Sequence, residues 1–171
     1  MTGQKNTSRD NVYADAFRHH LWANQTLLAA CAGLPDDVLD AGLPGTYGSV
    51  RDTLVHTFAS EERYLLRITD EPSPSLALAE GHFPGLVTLK DRAREGGETL
   101  ITLAQQTRDN RVIRGEYRGE KFAIPLSIFL AQAINHATEH RAQIAAILTQ
   151  NGVVPPNMDV WTYFRSMSQQ G

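Results

Sequence analysis

Residues 126–150 are the stretch that decides the fold, and they run LSIFLAQAINHATEHRAQIAAILTQ. Apolar residues recur at the three- and four-residue spacing of a helix, as at Phe129, Ala133, Ile144 and Ile147. Pro125 stands where a helix can begin, and Asn151-Gly152 follows where a helix commonly ends. The pattern therefore predicts one long helix whose apolar face also carries His136 and His140.

Three further segments upstream have the same helical periodicity. The predicted helices cover about residues 11–32, 49–68 and 86–107. Between the third and the last helix, Arg111–Tyr117 and Glu120–Ile124 flank Arg118-Gly119 and favour a short β-hairpin. We therefore predict an all-α fold, a four-helix bundle with a crossover connection, plus a short β-hairpin before the last long helix.

The segments between these helices carry turn and breaker residues. Glycines and Pro44 indicate a loop over Asp36–Gly48, and Pro72 and Pro74 should end the second helix near Asp70. Gly96-Gly97 lies inside the third helix, where each glycine costs about 1 kcal/mol relative to alanine. The large aromatic residues of the tail should pack back onto the bundle; they are Trp161, Tyr163 and Phe164.

Bulk properties restrict the function more than they identify it. The chain has 171 residues, which predicts a single domain over 1–171, and 16 basic against 19 acidic residues give a net charge of −3. This charge gives no reason to expect nucleic acid or an anionic membrane as a partner. The polar first ten residues lack a signal-peptide core, and Cys31 is the single cysteine. We expect a cytoplasmic protein without disulfides or cysteine-rich zinc sites.

His136 and His140 form the first part of a candidate metal site. Residues four apart lie about 6 Å apart along a helix axis and on one face, so two imidazoles can converge on one ion. Burying two neutral imidazoles without partners would cost about 1–3 kcal/mol each, whereas a metal satisfies both. His56, among apolar residues of the second helix, is the best third ligand. Three histidines leave a coordination position open, which is typical of catalytic sites.

Each of these observations also has a simpler interpretation. The spacing H-x-x-x-H is common by chance, and a lone histidine such as His56 is more often a satisfied core residue than a ligand. His19 and His20 are neighbours in sequence and cannot share a helix face, so we expect them at the surface or around the site. His82 lies beside Phe83-Pro84-Gly85 in a connection and has no partner pattern.

Several segments in the same order resemble the DinB/YfiT-like family of small metal-binding bundles, over nearly the whole chain. The segments are residues 21–28 (LWANQTLL), 49–56 (SVRDTLVH) followed by 61–64 (EERY), 135–144 (NHATEHRAQI) and 155–160 (PPNMDV). The resemblance implies that His56, His136 and His140 bind a divalent transition metal, nickel or zinc. It also implies a cytoplasmic homodimer.

Some members of that family are metal-dependent thiol S-transferases that use bacillithiol, mycothiol or glutathione. The resemblance therefore implies a thiol S-transferase acting on a small molecule, with a low-molecular-weight thiol as cosubstrate. A three-histidine metal would lower the pKa of a bound thiol and present the thiolate as a nucleophile. Residues that could position such a substrate are Asn24, Glu62, Arg63 and Arg141. For Arg141 we favour a structural role, as a partner of Glu139 or Glu62.

Two other functions stay open at this stage. His136–His140 also has the pattern H-x-x-E-H of inverted zinc proteases, in which Glu139 would be the general base. Only Asp159 follows as an acidic third ligand, so a metal-dependent hydrolase of small molecules is the better form of that hypothesis. The third possibility is a structural or sensing bundle, with a fourth ligand from Glu62 or His20. We predict that Glu139 is not the decisive base, because it lies about 100° around the helix from His140.

Overall fold

A computed structural model describes residues 12–70, 82–107 and 109–169 of the chain. Within these ranges six helices and one hairpin follow in order. They are α1 (Val12–Cys31), α2 (Asp36–Leu39), α3 (Val50–Thr69), α4 (Leu86–Gln106), β1 (Val112–Tyr117), β2 (Glu120–Pro125), α5 (Leu126–Gln150) and α6 (Val160–Ser168). The first ten residues and the predicted helix break at Pro72 and Pro74 lie outside the described residues.

The four long helices form the predicted bundle. Helix α1 packs against α4 and α5, and α3 packs against the same two helices, so α1 and α3 face each other across the bundle. The chain therefore crosses the bundle twice, once between α1 and α3 and once between α4 and α5. The predicted start of α3 is confirmed, because Ser49 and Asp52 form a complete capping box.

The core of the bundle has two apolar clusters with a polar layer between them. One cluster surrounds Leu28, Leu54 and Ile144, and the other surrounds Phe17 and Leu100. Between them lie four buried polar side chains from three helices: His20 and Asn24 of α1, Glu61 of α3 and Arg141 of α5. We call these four residues the buried polar network.

Gly96 and Gly97 lie at the level of this layer, on α4. A Cβ at Gly96 would come within 2.8 Å of Glu61 Oε1, and a Cβ at Gly97 within 2.7 Å of the Leu21 side chain. The glycines therefore let α4 approach α1 and α3 closely. Their cost to helix propensity is offset by a contact that a larger residue would prevent.

The hairpin is antiparallel, with Ile113 opposite Ile124 and Tyr117 opposite Glu120. Its turn has positive φ at Arg118 (54°) and Gly119 (83°), the combination that a two-residue hairpin turn requires. Ile113 is buried in a cluster with Ile68 and Phe129. The hairpin thus packs on one side of α3 and α5 and forms a wall beside the first turns of α5.

Two features differ from the sequence-based expectations. The predicted loop at 36–48 contains the one-turn helix α2, because Val38 and Leu39 are buried against the core. The tail forms helix α6, yet Trp161 and Phe164 remain 72% and 57% exposed, so the prediction that these aromatic residues pack onto the bundle is wrong for both. Helical spacing directs only Tyr163 inward, where its ring meets His19 and Trp22.

In the ranges that the structure describes, none of the helices combines the length and the apolarity that crossing a bilayer demands.

Candidate metal centre

Helices α3 and α5 bring the three predicted ligands together. His56 lies in the first half of α3, and His136 and His140 lie one turn apart on the facing side of α5. The Nε2 atom of His136 is 3.1 Å from Nε2 of His56 and 3.1 Å from Nε2 of His140. One ligand atom from each residue lies within 4.8 Å of the others, so the group could hold a metal ion. We call these residues the histidine triad.

The spacing of the nitrogens fits a shared ion. At metal–nitrogen distances of about 2.0–2.1 Å, two ligand nitrogens lie about 2.9 Å apart at a right angle and about 3.4 Å apart at the tetrahedral angle. The observed 3.1 Å falls between these values. Hydrogen bonding alone fits less well, because a ring nitrogen offers either one proton or one lone pair, and His136 Nε2 faces two such nitrogens.

The electrostatic environment keeps His136 neutral. Burial, followed in order of importance by the neighbouring His140, His56 and Arg63, lowers the pKa of His136 to about 4. At neutral pH the imidazole of His136 therefore carries no charge, and one of its nitrogens has a free lone pair. A neutral imidazole is the form that binds a metal.

Gln143 fixes the orientation of His140. The Gln143 Oε1 atom lies 3.0 Å from His140 Nδ1, and since an amide oxygen only accepts, Nδ1 must carry the proton. In this tautomer of the neutral ring, the lone pair is on His140 Nε2, which faces Nε2 of His136. The same Gln143 oxygen accepts the backbone N–H of Tyr47 at 3.1 Å. One side chain thus connects a ligand ring to the loop that precedes α3.

Tyr47 and Tyr64 border the triad on different sides. The Tyr47 ring is stacked on His56 with 3.8 Å between centroids and meets His140 edge-on, while Tyr64 meets His136 edge-on. Tyr47 is half exposed, so this side of the site is covered by a residue in contact with solvent.

Two cavities meet at His56. A cavity of about 450 Å³ is lined by His56 and His136 together with residues of α3 and the hairpin. A second cavity, of about 570 Å³, is lined by His56, Tyr47 and His82 among others. The triad is therefore accessible to small molecules, and each volume is in the range of ligand pockets.

Some of the residues predicted to lie near the triad do so in the structure, and others do not. Arg63 lines the 450 Å³ cavity and donates to Ser60 Oγ at 2.8 Å. Glu62 instead pairs with Arg92 of α4 at 3.0 Å, and His20 pairs with Glu61. Neither proposed fourth ligand is therefore part of the triad group. Glu139 is exposed, and its nearest hydrogen-bond partner among the described residues is Gln143 at 3.5 Å.

Asn24 and Arg141 belong to the buried polar network and line neither of the two cavities at the triad. Arg141 donates to Asn24 Oδ1 at 2.6 Å and to Thr138 Oγ1 at 2.8 Å. Burial lowers the pKa of Arg141 to about 10, while the charge of Glu61 opposes that shift, so the guanidinium stays charged at neutral pH. Asn24 therefore has a structural role in place of the expected substrate contact. Arg141 has the structural role that we favoured, with Asn24 and Thr138 as partners in place of Glu139 or Glu62.

The other three histidines lie apart from the triad. His20 was expected at the surface or around the site, but it is fully buried, with Nε2 2.6 Å from Glu61 Oε2. His19 is partly buried and its Nε2 lies 2.8 Å from the carbonyl of Met158. His82 is exposed. The contact between His20 and Glu61 could not be predicted from the sequence, because no local pattern relates two residues that are 41 positions apart.

Comparison with known proteins agrees with this architecture. The model of the DinB family matches residues 4–171. The chain belongs to the DinB family. Among solved structures, the fold resembles a DinB-like protein from Bacillus cereus ATCC 10987, with a TM-score of 0.64 and 19% sequence identity over 85% of this chain and 94% of that chain. No curated protein matches the sequence.

The histidine triad was predicted from the sequence, but two residues that contact it were not. The predicted triad is the same three histidines that the fold brings together in this DinB family chain. Gln143 and Tyr47 were not predicted. Gln143 follows His140 by three residues, a helical spacing that could have drawn attention to it. Tyr47 lies in a loop, where no periodic pattern in the sequence indicates the direction of a side chain.

Proposed function

We propose that this DinB family chain is a metal-dependent enzyme of the thiol S-transferase type that acts on a small molecule. The observation that carries the proposal is the histidine triad opening onto the 450 Å³ cavity. A site that only braced two helices would have no need of an adjoining cavity, and a closed ligand sphere would suit it better.

Nickel or zinc is the metal that we propose for the triad. Neutral imidazoles suit both ions, and the observed nitrogen spacing lies between the right-angle and tetrahedral values. A divalent ion held by His56, His136 and His140 would lower the pKa of a bound thiol and favour its thiolate. The triad itself contributes no negative charge, so the ion would keep its full positive charge toward such a ligand.

The thiol has to come from a cosubstrate. Cys31, the single cysteine, is buried among core residues of α1 and α3, and burial raises the pKa of its thiol to about 11. It is therefore neither accessible nor ionised at neutral pH. Bacillithiol, mycothiol and glutathione are the candidate cosubstrates.

The proposed reaction is a substitution at carbon. The thiol gives its proton to solvent, its sulfur forms a bond to the electrophilic carbon, and the leaving group departs with the electrons of the broken bond. With 1-chloro-2,4-dinitrobenzene the products are the aryl thioether, chloride and one proton. The residues of the chain hold the ion and enclose the substrate, and no oxidant or reductant is needed.

The test combines metal analysis with a thiol panel. Purified protein is assayed for nickel and zinc, stripped with a chelator, reloaded with each ion, and incubated with each thiol and 1-chloro-2,4-dinitrobenzene. We expect thioether formation above that of the stripped protein with at least one thiol. Absence of conjugation with all three thiols, in protein that holds its metal, would contradict the transferase proposal.

Glu139→Gln distinguishes the transferase from the hydrolase. The exposed Glu139 does not line either cavity at the triad, so the variant should keep both its metal and its thioether formation. A variant that keeps its metal but loses hydrolysis of a model ester shown by the wild-type protein would favour the hydrolase. Metal retention without either activity would favour the structural or sensing bundle.

We also propose that the chain forms a homodimer, as the family resemblance implies. Trp161 and Phe164 of α6 are exposed, and Phe164 lines an apolar cavity of about 980 Å³ between α1, α5 and α6. Light scattering should give twice the chain mass of 18.9 kDa for the wild type. Trp161→Glu should shift it toward the monomer, and an unchanged mass would place any interface elsewhere.

A further inference from the structure

The 450 Å³ cavity has a charge opposite to that of the protein. Its charged lining residues are Arg63, Arg67, Lys121 and Glu120, so three positive charges less one negative charge give +2. The whole chain has a net charge of −3. Such a local excess attracts anions and disfavours cations in a partly enclosed space.

The positive charges come from two elements that face each other. Arg63 and Arg67 lie one turn apart on α3, and Lys121 lies on β2 of the hairpin. The guanidinium of Arg67 is 5.1 Å from the ring centroid of Tyr117, which places it between helix and hairpin. Arg63 lines the same cavity as His136, so its charge lies near the triad.

Arg67 and Lys121 form no ion pair with a carboxylate in the part of the chain that the structure describes. The partly buried Arg92 and Arg51, by contrast, both face carboxylates. The positive charges of Arg67 and Lys121 in the cavity wall are therefore available to a ligand. A carboxylate is the group that a guanidinium binds with paired hydrogen bonds.

The remaining wall is apolar and aromatic. Tyr64, Phe122 and Phe129 line the cavity, and the ring of Phe129 lies 6.2 Å from that of Phe122 and 6.5 Å from that of Tyr64. These rings offer an apolar surface between the basic residues and the triad. A ligand that fits this surface has an apolar body as well as an acidic end.

We infer that this cavity binds a small carboxylic acid with an apolar body, and that Arg67 and Lys121 determine its specificity by holding the carboxylate. The inference rests on the proposed function in one respect, since it concerns the substrate of the same site. It adds the chemical class of that substrate and two residues of α3 and the hairpin that select it.

The experiment measures binding without any reaction. Chelator-treated and zinc-loaded protein are titrated with 4-phenylbutanoate, its neutral amide and 4-phenylbutylammonium by calorimetry at low salt. We expect the carboxylate to bind about tenfold more tightly than the amide in both forms of the protein, and the ammonium to bind most weakly. Higher salt should reduce the preference.

Variants of the two selecting residues locate the effect. Arg67→Gln and Lys121→Gln should each weaken carboxylate binding about three- to tenfold and leave amide binding unchanged. Lys121→Glu should favour the ammonium over the carboxylate. Arg114→Gln is the matched control, because Arg114 is exposed on the same hairpin but does not line the cavity.

Two results would overturn the inference. One is equal affinity for the carboxylate and the amide in the wild-type protein. The other is carboxylate binding that requires zinc and is unaffected by Arg67→Gln and Lys121→Gln, since the carboxylate would then bind the ion. A protein that fails to hold metal or to transfer thiols but discriminates the carboxylate would contradict the proposed function alone.

Discussion

The buried polar network and the histidine triad lie in the same bundle but differ in how charge is balanced. In the buried polar network, His20 faces the carboxylate of Glu61, and the cation Arg141 lies in the same layer. In the histidine triad, three imidazoles face one another without any carboxylate in the group. The network joins α1, α3 and α5, whereas the triad joins the neighbouring helices α3 and α5.

The contrast indicates which buried histidines need a bound cation to satisfy their ring nitrogens. His20 Nε2 donates to a carboxylate, so one polar contact is complete within the chain, although its Nδ1 has no hydrogen-bond partner among the described residues. In the triad, by contrast, the Nε2 atom of His136 faces the Nε2 atoms of His56 and His140, each at 3.1 Å, and the group contains no carboxylate. We therefore expect a metal at the triad and none at the network. The predictions below test this difference.

The largest effect should follow from removing a triad ligand. His136→Ala leaves His56 and His140 without the nitrogen that lies between them, so bound metal should fall from near one ion per chain to near none. Elemental analysis after dialysis measures this, with His82→Ala as a control that keeps its metal. A metal-loaded His136→Ala protein would remove the basis for the triad as the binding site.

The next largest effect should follow from breaking the network. Arg141→Met removes the donors to Asn24 and Thr138 and leaves Glu61 buried with less compensation. We expect the free energy of unfolding to fall by about 3–5 kcal/mol, as for other broken buried ion networks. Urea unfolding measures the loss, with Arg114→Met as the exposed control. A loss below about 1 kcal/mol would mean that the network contributes little to stability.

The sequence predicted the triad better than the network for a physical reason. His136 and His140 are one turn apart, so their common face follows from helix geometry, while the apolar surroundings of His56 and the family resemblance both indicated the third ligand. The network joins α1 to α3 across the bundle, and His20 seemed a surface residue because His19 precedes it. The long helices and the hairpin were likewise predicted from periodicity and turn residues. Helices α2 and α6 depend on tertiary contacts and are too short to show a helical period in the sequence.

A smaller effect should come from the residue that orients His140. Gln143→Leu removes the acceptor of His140 Nδ1–H, so His140 can adopt the other tautomer. We expect metal affinity to fall about 10- to 100-fold, the usual cost of losing such an outer partner. Competition with a chelator measures the affinity, and nitrogen NMR of the metal-free protein reports the tautomer. Unchanged values for both would show that the Gln143 contact does not position the ring.

The smallest effect should be the pH dependence of the metal-free protein. His136 has a pKa of about 4 when folded, against 6.5 for an ordinary histidine, so the unfolded chain binds its proton first as the pH falls. Stability from this residue is complete above about pH 6.5 and is lost progressively toward pH 4. Because His136 is only partly buried, we expect a Tm difference of a few degrees between pH 7 and pH 5.

His136→Gln isolates that contribution. The variant lacks the titrating group, so its melting temperature should fall less between the two pH values than that of the wild type. Parallel curves for the two proteins would show that protonation of His136 does not limit the stability of the metal-free form.

The positions of the triad residues along the chain have a consequence for how an ion is captured and released. His136 and His140 are separated by four residues, whereas His56 and His136 are separated by 80. An unfolded chain that kept all three ligands on one ion would have to close a loop of that length, at an entropic cost of about 4–5 kcal/mol. The pair on α5 needs no such closure. We therefore expect an ion to bind the unfolded chain first at His136 and His140. His56 should bind the ion only as the bundle assembles, so that the third metal–nitrogen bond forms as part of folding.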